Sequence, residues 1–351
     1  MEIKQHNTEP SHHHDLKELQ TSIKTEREVR LTSSELANLW ASWMESSIKE
    51  RIVQYFIKIV EDPDIKQALE YFLEVAKKHL KIISQIYARE KHPIPIGFTD
   101  EDVNLDAPRL FTDSLILYFL KDIAVVRLDG YSTALQMSVR SDVRKFFTEC
   151  VADSAEMYNR TVSIMLSKGL NIRPPYIPVP EKVDFIKKQN YLAGYLGKQR
   201  TLNSIEISHI FLGLQKNLLR GAVFNGFGHV TASEQVKKYM VRGKKIANKH
   251  IKIFSSLLIN NNLPVSMAWD SGVIDSNIAP FSDKLMMQQA RVNNSVLIAA
   301  YWRAVPVMRR DLGLDFTRLA AEVLKYLEDG FNILIENSWL EEPPQAKKLL
   351  H

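Results

Sequence analysis

Apolar positions along the chain recur at helical and not at strand spacing. Leu36, Leu39, Trp40, Trp43, Ile48, Ile52, Tyr55, Phe56 and Ile59 follow one another mostly at intervals of three and four, the period that lines up one face of an α-helix. In front of them Thr32-Ser33-Ser34-Glu35 has the form of a capping box, which predicts a helix start. Behind them Asp62-Pro63 closes this helix and opens the next, with Asp as N-cap and Pro at the first helical position. The second helix puts Ile65, Leu69, Phe72, Val75, Ala76, His79, Ile82, Ile83 and Ile86 on its inner face. A Pro- and Gly-bearing connection from His92 to Arg109 leads to Thr112, the predicted cap of a third helix that runs to about Met137. A fourth helix is predicted over 141–167. β-branched alternation appears only around Tyr176–Val179 and in the connection, so the expected class is all-α.

The whole pattern then repeats. Val75-Ala76-Lys77-Lys78-His79-Leu80-Lys81-Ile82-Ile83-Ser84 returns as Ile246-Ala247-Asn248-Lys249-His250-Ile251-Lys252-Ile253-Phe254-Ser255, an offset of 171. Leu31–Leu36 returns as Leu202–Ile207 at the same offset, with Asn203 as the cap of the second box. At 170, Phe111, Asp113, Tyr131, Ala134, Arg140 and Phe146 align with Phe281, Asp283, Tyr301, Ala304, Arg310 and Phe316. Pro174-Pro175 answers Pro343-Pro344 at 169. A period this long makes each copy a domain and not a solenoid unit. The expected division is a flexible N-terminal tail (1–27), a first bundle (28–172), a Pro-rich linker and lead-in (173–200), a second bundle (201–345) and a C-terminal tail (346–351). In the second copy Ser282 takes the place of Thr112, and Pro306 should bend or stop the third helix. Long helices with short first and third turns and a long middle connection predict two tandem ferritin-like four-helix bundles.

This duplicated bundle, with its KKHLKI/NKHIKI helix and Pro-containing crossover, resembles an uncharacterised spore-coat-like family of endospore-forming bacteria, over about residues 28–345. The resemblance implies duplicated ferritin-like bundles and a link to sporulation. It implies no activity and supplies no catalytic motif.

Composition narrows the compartment. A single cysteine, Cys150, excludes an internal disulfide and a Cys-based zinc site, and reads as a buried small residue. The start, Met1–His6, has no apolar signal region. The longest apolar runs, 115–120 and 296–302, fall short of the roughly 18 to 20 residues that cross a bilayer. The expectation is a soluble protein made in the cytosol, spore-associated and not secreted by a signal peptide. His12–His14 belong to the polar tail and to adventitious metal at most.

A di-iron bundle needs a Glu on each of two helices and Glu-x-x-His on each of the other two. Here His79 and His250 are preceded by Ala76 and Ala247, and the fourth helices carry Glu149, Glu156, Glu322 and Glu328 with no histidine. Glu206-Ile207-Ser208-His209 has the spacing, but its counterpart keeps only Glu35, as capping requires. No catalytic residue, metal or cofactor is therefore expected. His79 and His250 lie on the apolar stripe in both copies, as core histidines or as candidate ligand contacts. Between Lys237 and Lys252 there are seven basic residues and no acid, and Lys238, Arg242, Lys245, Lys249 and Lys252 share a face. That face is solvated or meets an anionic partner; without interleaved aromatics, specific nucleic-acid reading is not expected. Gly213, Gly221, Gly226 and Gly228 suggest close helix approach, between the two bundles or in a dimer. The chain so reads as a non-enzymatic structural or interaction protein, associating with itself or with another spore protein. The alternatives are a bundle binding a small molecule or metal near His79 and His250, and an anionic-surface binder through 237–252.

Overall fold

A computed structural model describes residues 29–194, 199–265, 272–307 and 309–346. The predicted tails at 1–27 and, apart from its first residue, 346–351 lie outside the described residues, as do His12–His14. Among the described residues there are eight α-helices and no strands. The first copy contains α1 (Ser33–Ile59), α2 (Pro63–Arg89), α3 (Asp113–Gln136) and α4 (Ser141–Ser167). The second contains α5 (Ser204–Val230), α6 (Glu234–Ile259), α7 (Asp283–Ala304) and α8 (Arg310–Glu336). Within each copy consecutive helices pair, and the first and second helices pack against the third and fourth, so the chain is two tandem four-helix bundles.

The caps act as the sequence requires. Thr32 and Asn203 each accept a hydrogen bond from the N–H of the Glu three residues on, and that Glu accepts from the cap's own N–H. Asp62, Thr112 and Ser282 cap α2, α3 and α7. Helix α7 stops at Ala304 and tightens into a 3₁₀ turn, Val305–Val307, because Pro306 has no N–H to continue the ladder. One alignment needs correcting. The N-cap of α4 is Arg140 and that of α8 is Arg309, so Arg140 corresponds to Arg309 and not to Arg310. Phe147, against Tyr131, then corresponds to Phe316, against Tyr301. The fourth helices are offset by 169, the value already seen at Pro174/Pro343.

The two bundles meet through their crossovers, and the contacts are reciprocal. Val103 bridges to Phe281, and Phe111 bridges to Val273, the same pair with the copies exchanged. Asn104 N–H donates to Pro280 O and Ile274 N–H to Leu110 O, both at 2.8 Å. Thr112 N–H donates to Gly272 O at 2.9 Å, and Ser282 N–H to Asp102 O at 3.0 Å. Such exchange of i for j is the mark of an isologous interface, here formed inside one chain. Phe111 sits over Gly226 of the other copy, where a Cβ would come within 2.5 Å of its ring. Phe281 meets Tyr55 edge-on at 5.2 Å, and Phe56 and Phe227 complete the cluster. Burying each phenylalanine is worth about 1.5–3 kcal/mol, against roughly 1 kcal/mol net for a hydrogen bond. The rings therefore supply the strength of this contact and the bridges set its register. The largest apolar cluster runs unbroken through both copies.

Candidate functional site

Each bundle carries one buried polar network, assembled from all four of its helices. In the second copy His250 on α6 has no exposed surface. Its Nε2 lies 3.1 Å from Glu322 Oε2 on α8, and its Nδ1 lies 3.0 Å from the Tyr301 hydroxyl on α7. A carboxylate only accepts, so Nε2 carries the proton and Nδ1 accepts from Tyr301. Asn217 on α5 donates to the Tyr301 hydroxyl at 2.6 Å and accepts from Arg220 Nη1 at 3.4 Å. Arg220 Nε donates to Asn294 at 2.8 Å, and Asn294 donates to the Tyr239 hydroxyl at 3.3 Å. At the outer end Lys249 donates to Glu322 at 2.9 Å.

The first copy repeats the plan with other residue types. His79 on α2, also fully buried, donates from Nε2 to Asp153 on α4 at 2.9 Å and faces the Tyr131 hydroxyl on α3 at 3.5 Å. Lys78 donates to Asp153 at 3.1 Å. Ser46 on α1 stands where Asn217 stands, and accepts from Arg127 Nη2 at 3.4 Å. Arg127 is fully buried and lies 4.6 Å over the ring of Phe72. Its Nε and Nη1 have no hydrogen-bond partner, and neither has Arg220 Nη2. The interior arginine thus comes from the third helix in one copy and from the first helix in the other.

These surroundings fix the protonation states. Burial, reinforced by the nearby Arg127, pushes His79 down to about 4. Burial pushes His250 to about 4 as well, against the opposing pull of Glu322. Both rings are neutral at neutral pH. Burial works against the charged form of Glu322, but hydrogen bonds from Lys249 and His250 outweigh it and hold the carboxyl below its ordinary value. Burial raises the Tyr131 and Tyr301 hydroxyls, which remain protonated donors. All four ring nitrogens of the two histidines are engaged by side chains of the chain itself. Among the described residues no three His, Cys, Asp or Glu side chains gather as a metal-binding group.

The basic face of α6 is exposed along its length, and α8 answers part of it. Arg242 pairs with Asp329 at 2.7 Å and Lys249 with Glu322, while Lys238, Lys245 and Lys252 make no hydrogen bond or ion pair among the described residues. His209 lies at the surface edge of α5, apart from both networks, and its neighbour Glu206 is the capping residue.

The family described as Protein of unknown function (DUF3231) matches the chain twice, over residues 21–183 and 191–349. The chain belongs to this family. No curated protein matches it significantly. Among solved structures, a "putative spore coat protein" from Bacillus halodurans C-125 is 15% identical with a TM-score of 0.39, covering 42% of this chain and 98% of its own.

Both DUF3231 repeats use their capping glutamate for a second task. Glu35 is buried and accepts from Val139 N–H at 2.9 Å and Arg140 N–H at 2.7 Å. Glu206, also buried, accepts from Arg309 N–H at 2.9 Å and from both guanidinium nitrogens of Arg200 at 2.7 Å. Neither Arg140 nor Arg309 caps its helix with a side chain, so the glutamates serve as caps from across the bundle. Burial opposes the charge of both carboxylates, and these donors outweigh it to keep them below the ordinary carboxylate value. The residues missed by sequence reasoning are Arg127, Arg220, Tyr131 and Asn217 as parts of the networks. The available signal was a cation inside an apolar run, such as Leu218-Leu219-Arg220-Gly221-Ala222-Val223.

Proposed function

We propose that this protein is a non-enzymatic structural or interaction protein, associated with sporulation, built on a duplicated ferritin-like scaffold with units near 28–172 and 201–345. One observation carries the reading. The centre of each bundle is occupied by a closed His–Tyr–carboxylate network with a buried arginine, in which both imidazole nitrogens are already bonded. A bundle that handles metal needs carboxylates converging on an open position, and a guanidinium placed beside that position repels a cation. The association with the spore comes from the family resemblance of the paired KKHLKI/NKHIKI helices. The test is purification from native cells, with elemental analysis and with fractionation of vegetative cells and spores. The reading expects sub-stoichiometric metal and recovery with the spore fraction; stoichiometric Fe or Mn, or absence from spores, overturns it.

A second reading, contact with an anionic surface, is supported by the exposed and unpaired Lys238, Lys245 and Lys252. Retention on anionic vesicles that weakens with salt and disappears in the triple Glu variant would support it, since screening must act on such contacts.

A further inference from the structure

The seam between the bundles has two grooves related by the duplication, and they differ in charge. On one side α1 faces α7, with Glu45 and Lys49 on α1 and Arg291 and Val292 on α7. Glu45 supplies negative charge to both cations of that groove, acting on Lys49 and on Arg291. On the other side α3 faces α5, and the corresponding positions are Lys216, Arg220, Lys121 and Asp122. Lys216 for Glu45 adds two units of positive charge, and Asp122 for Val292 returns one. Asp122 is taken by Lys216 at 2.9 Å. Lys121 is half-buried and makes no hydrogen bond or ion pair among the described residues. Burial lowers its basicity, against the pull of Asp122.

This second groove is open. A cleft of about 60 Å³ lies among Tyr118, Lys121, Asp122, Gln215 and Lys216. A second, smaller cleft shares Asp122 and Lys216 in its lining and is bounded by Arg220. Arg220 is 1% exposed and its Nη2 has no partner, so the residue bounding the second cleft keeps an unpaired buried donor. We propose that the α3–α5 cleft binds a compact carboxylate, the counter-charge that Lys121 lacks. The volume is roughly that of two waters, which admits a carboxylate head group and not a ring. Lys121 provides the charge, Lys216 being already held by Asp122, and charge-assisted N–H bonds are the stronger kind. The site is independent of any role in the spore, and it meets the interior network of the second bundle only at Arg220.

The test is a titration of the whole protein followed by NMR, at constant ionic strength set with chloride. Acetate represents a free acid and N-acetylglutamate amide represents a side chain of a partner. Saturable shifts confined to α3 and α5 with either probe support the site, and the probe that binds identifies the source. Lys121→Met should weaken binding about tenfold or more. The double variant Asp122→Val, Lys216→Glu copies the charge pattern of the α1–α7 groove and should abolish binding, with helicity checked by circular dichroism. Absence of saturable shifts with both probes overturns the proposal. So does equal binding by wild type and Lys121→Met, or by wild type and a folded double variant.

Discussion

Lowering the pH from 7 to 5 should destabilise this protein through its two buried histidines. Each imidazole titrates at 6.5 when exposed and at about 4 in the native bundle. At pH 7 the ring is mostly neutral in both states. As the pH falls below 6.5 the unfolded chain takes up a proton that the native one refuses, so stability is lost progressively until the native ring also protonates near 4. The linkage relation gives about 2 kcal/mol per histidine between pH 7 and pH 5, about 4 kcal/mol for both. That is a large part of a typical total of 5–15 kcal/mol. The glutamates of these networks and caps add little in this window, because Glu35, Glu206 and Glu322 start from an ordinary value of 4.5 and are lowered further. Urea unfolding at the two pH values, for wild type and for His79→Gln with His250→Gln, is the assay. The loss of about 4 kcal/mol in wild type should shrink below about 1 kcal/mol in the double variant. A wild type equally stable at both pH values, or a double variant that keeps the full loss, would refute the reasoning.

Gly226→Ala should cost about 1–3 kcal/mol in thermal or urea unfolding, because the new methyl meets the Phe111 ring; Phe111→Leu in the same chain should recover part of that loss. Glu35→Gln and Glu206→Gln should each cost about 1–3 kcal/mol, since the amide cannot accept from the cap and the distant helix start as the carboxylate does. Hydrogen exchange should then show α4 or α8 fraying at its N-terminus in the matching variant. Lys238→Glu, Lys245→Glu and Lys252→Glu should each stay within about 0.5 kcal/mol of wild type, because the three side chains are exposed and unpaired.

The helices were legible because their signals are local. Thr32, Asp62, Thr112, Asn203 and Ser282 declare helix starts through side chains that bond to the next few N–H groups, and Pro306 declares a stop. The fourth helix predicted over 141–167 spans Ser141–Ser167. Placing His79 and His250 inside the bundles followed from the apolar stripe alone, and both are fully buried. Legibility failed wherever partners are distant in sequence. The interior arginines occupy different helices in the two copies, so aligning the copies conceals them. The second role of Glu35 depends on Val139 and Arg140, more than a hundred residues away. Trp40 and Trp43, on the apolar face of the first predicted helix, are only partly buried and pack against the core. The basic run on α6 looked unopposed because Glu322 and Asp329 lie on another helix.

The reciprocal bridges between the crossovers also bear on how the chain is made. Each joins residues about 160 to 180 positions apart, so none can form until the crossover of the second copy has left the ribosome. The first bundle is complete at Ser167, and Phe281 lies far downstream. At about 5–20 residues per second, the face holding Phe56 and Phe111 waits on the order of ten seconds for its partner. Through that interval it is an uncovered aromatic patch, open to mispairing with a neighbouring nascent chain. Loop closure over such a distance is also slow compared with pairing adjacent helices. Joining the two copies in one polypeptide favours the correct match by raising its local concentration, and the dangerous period in the life of this protein is its synthesis.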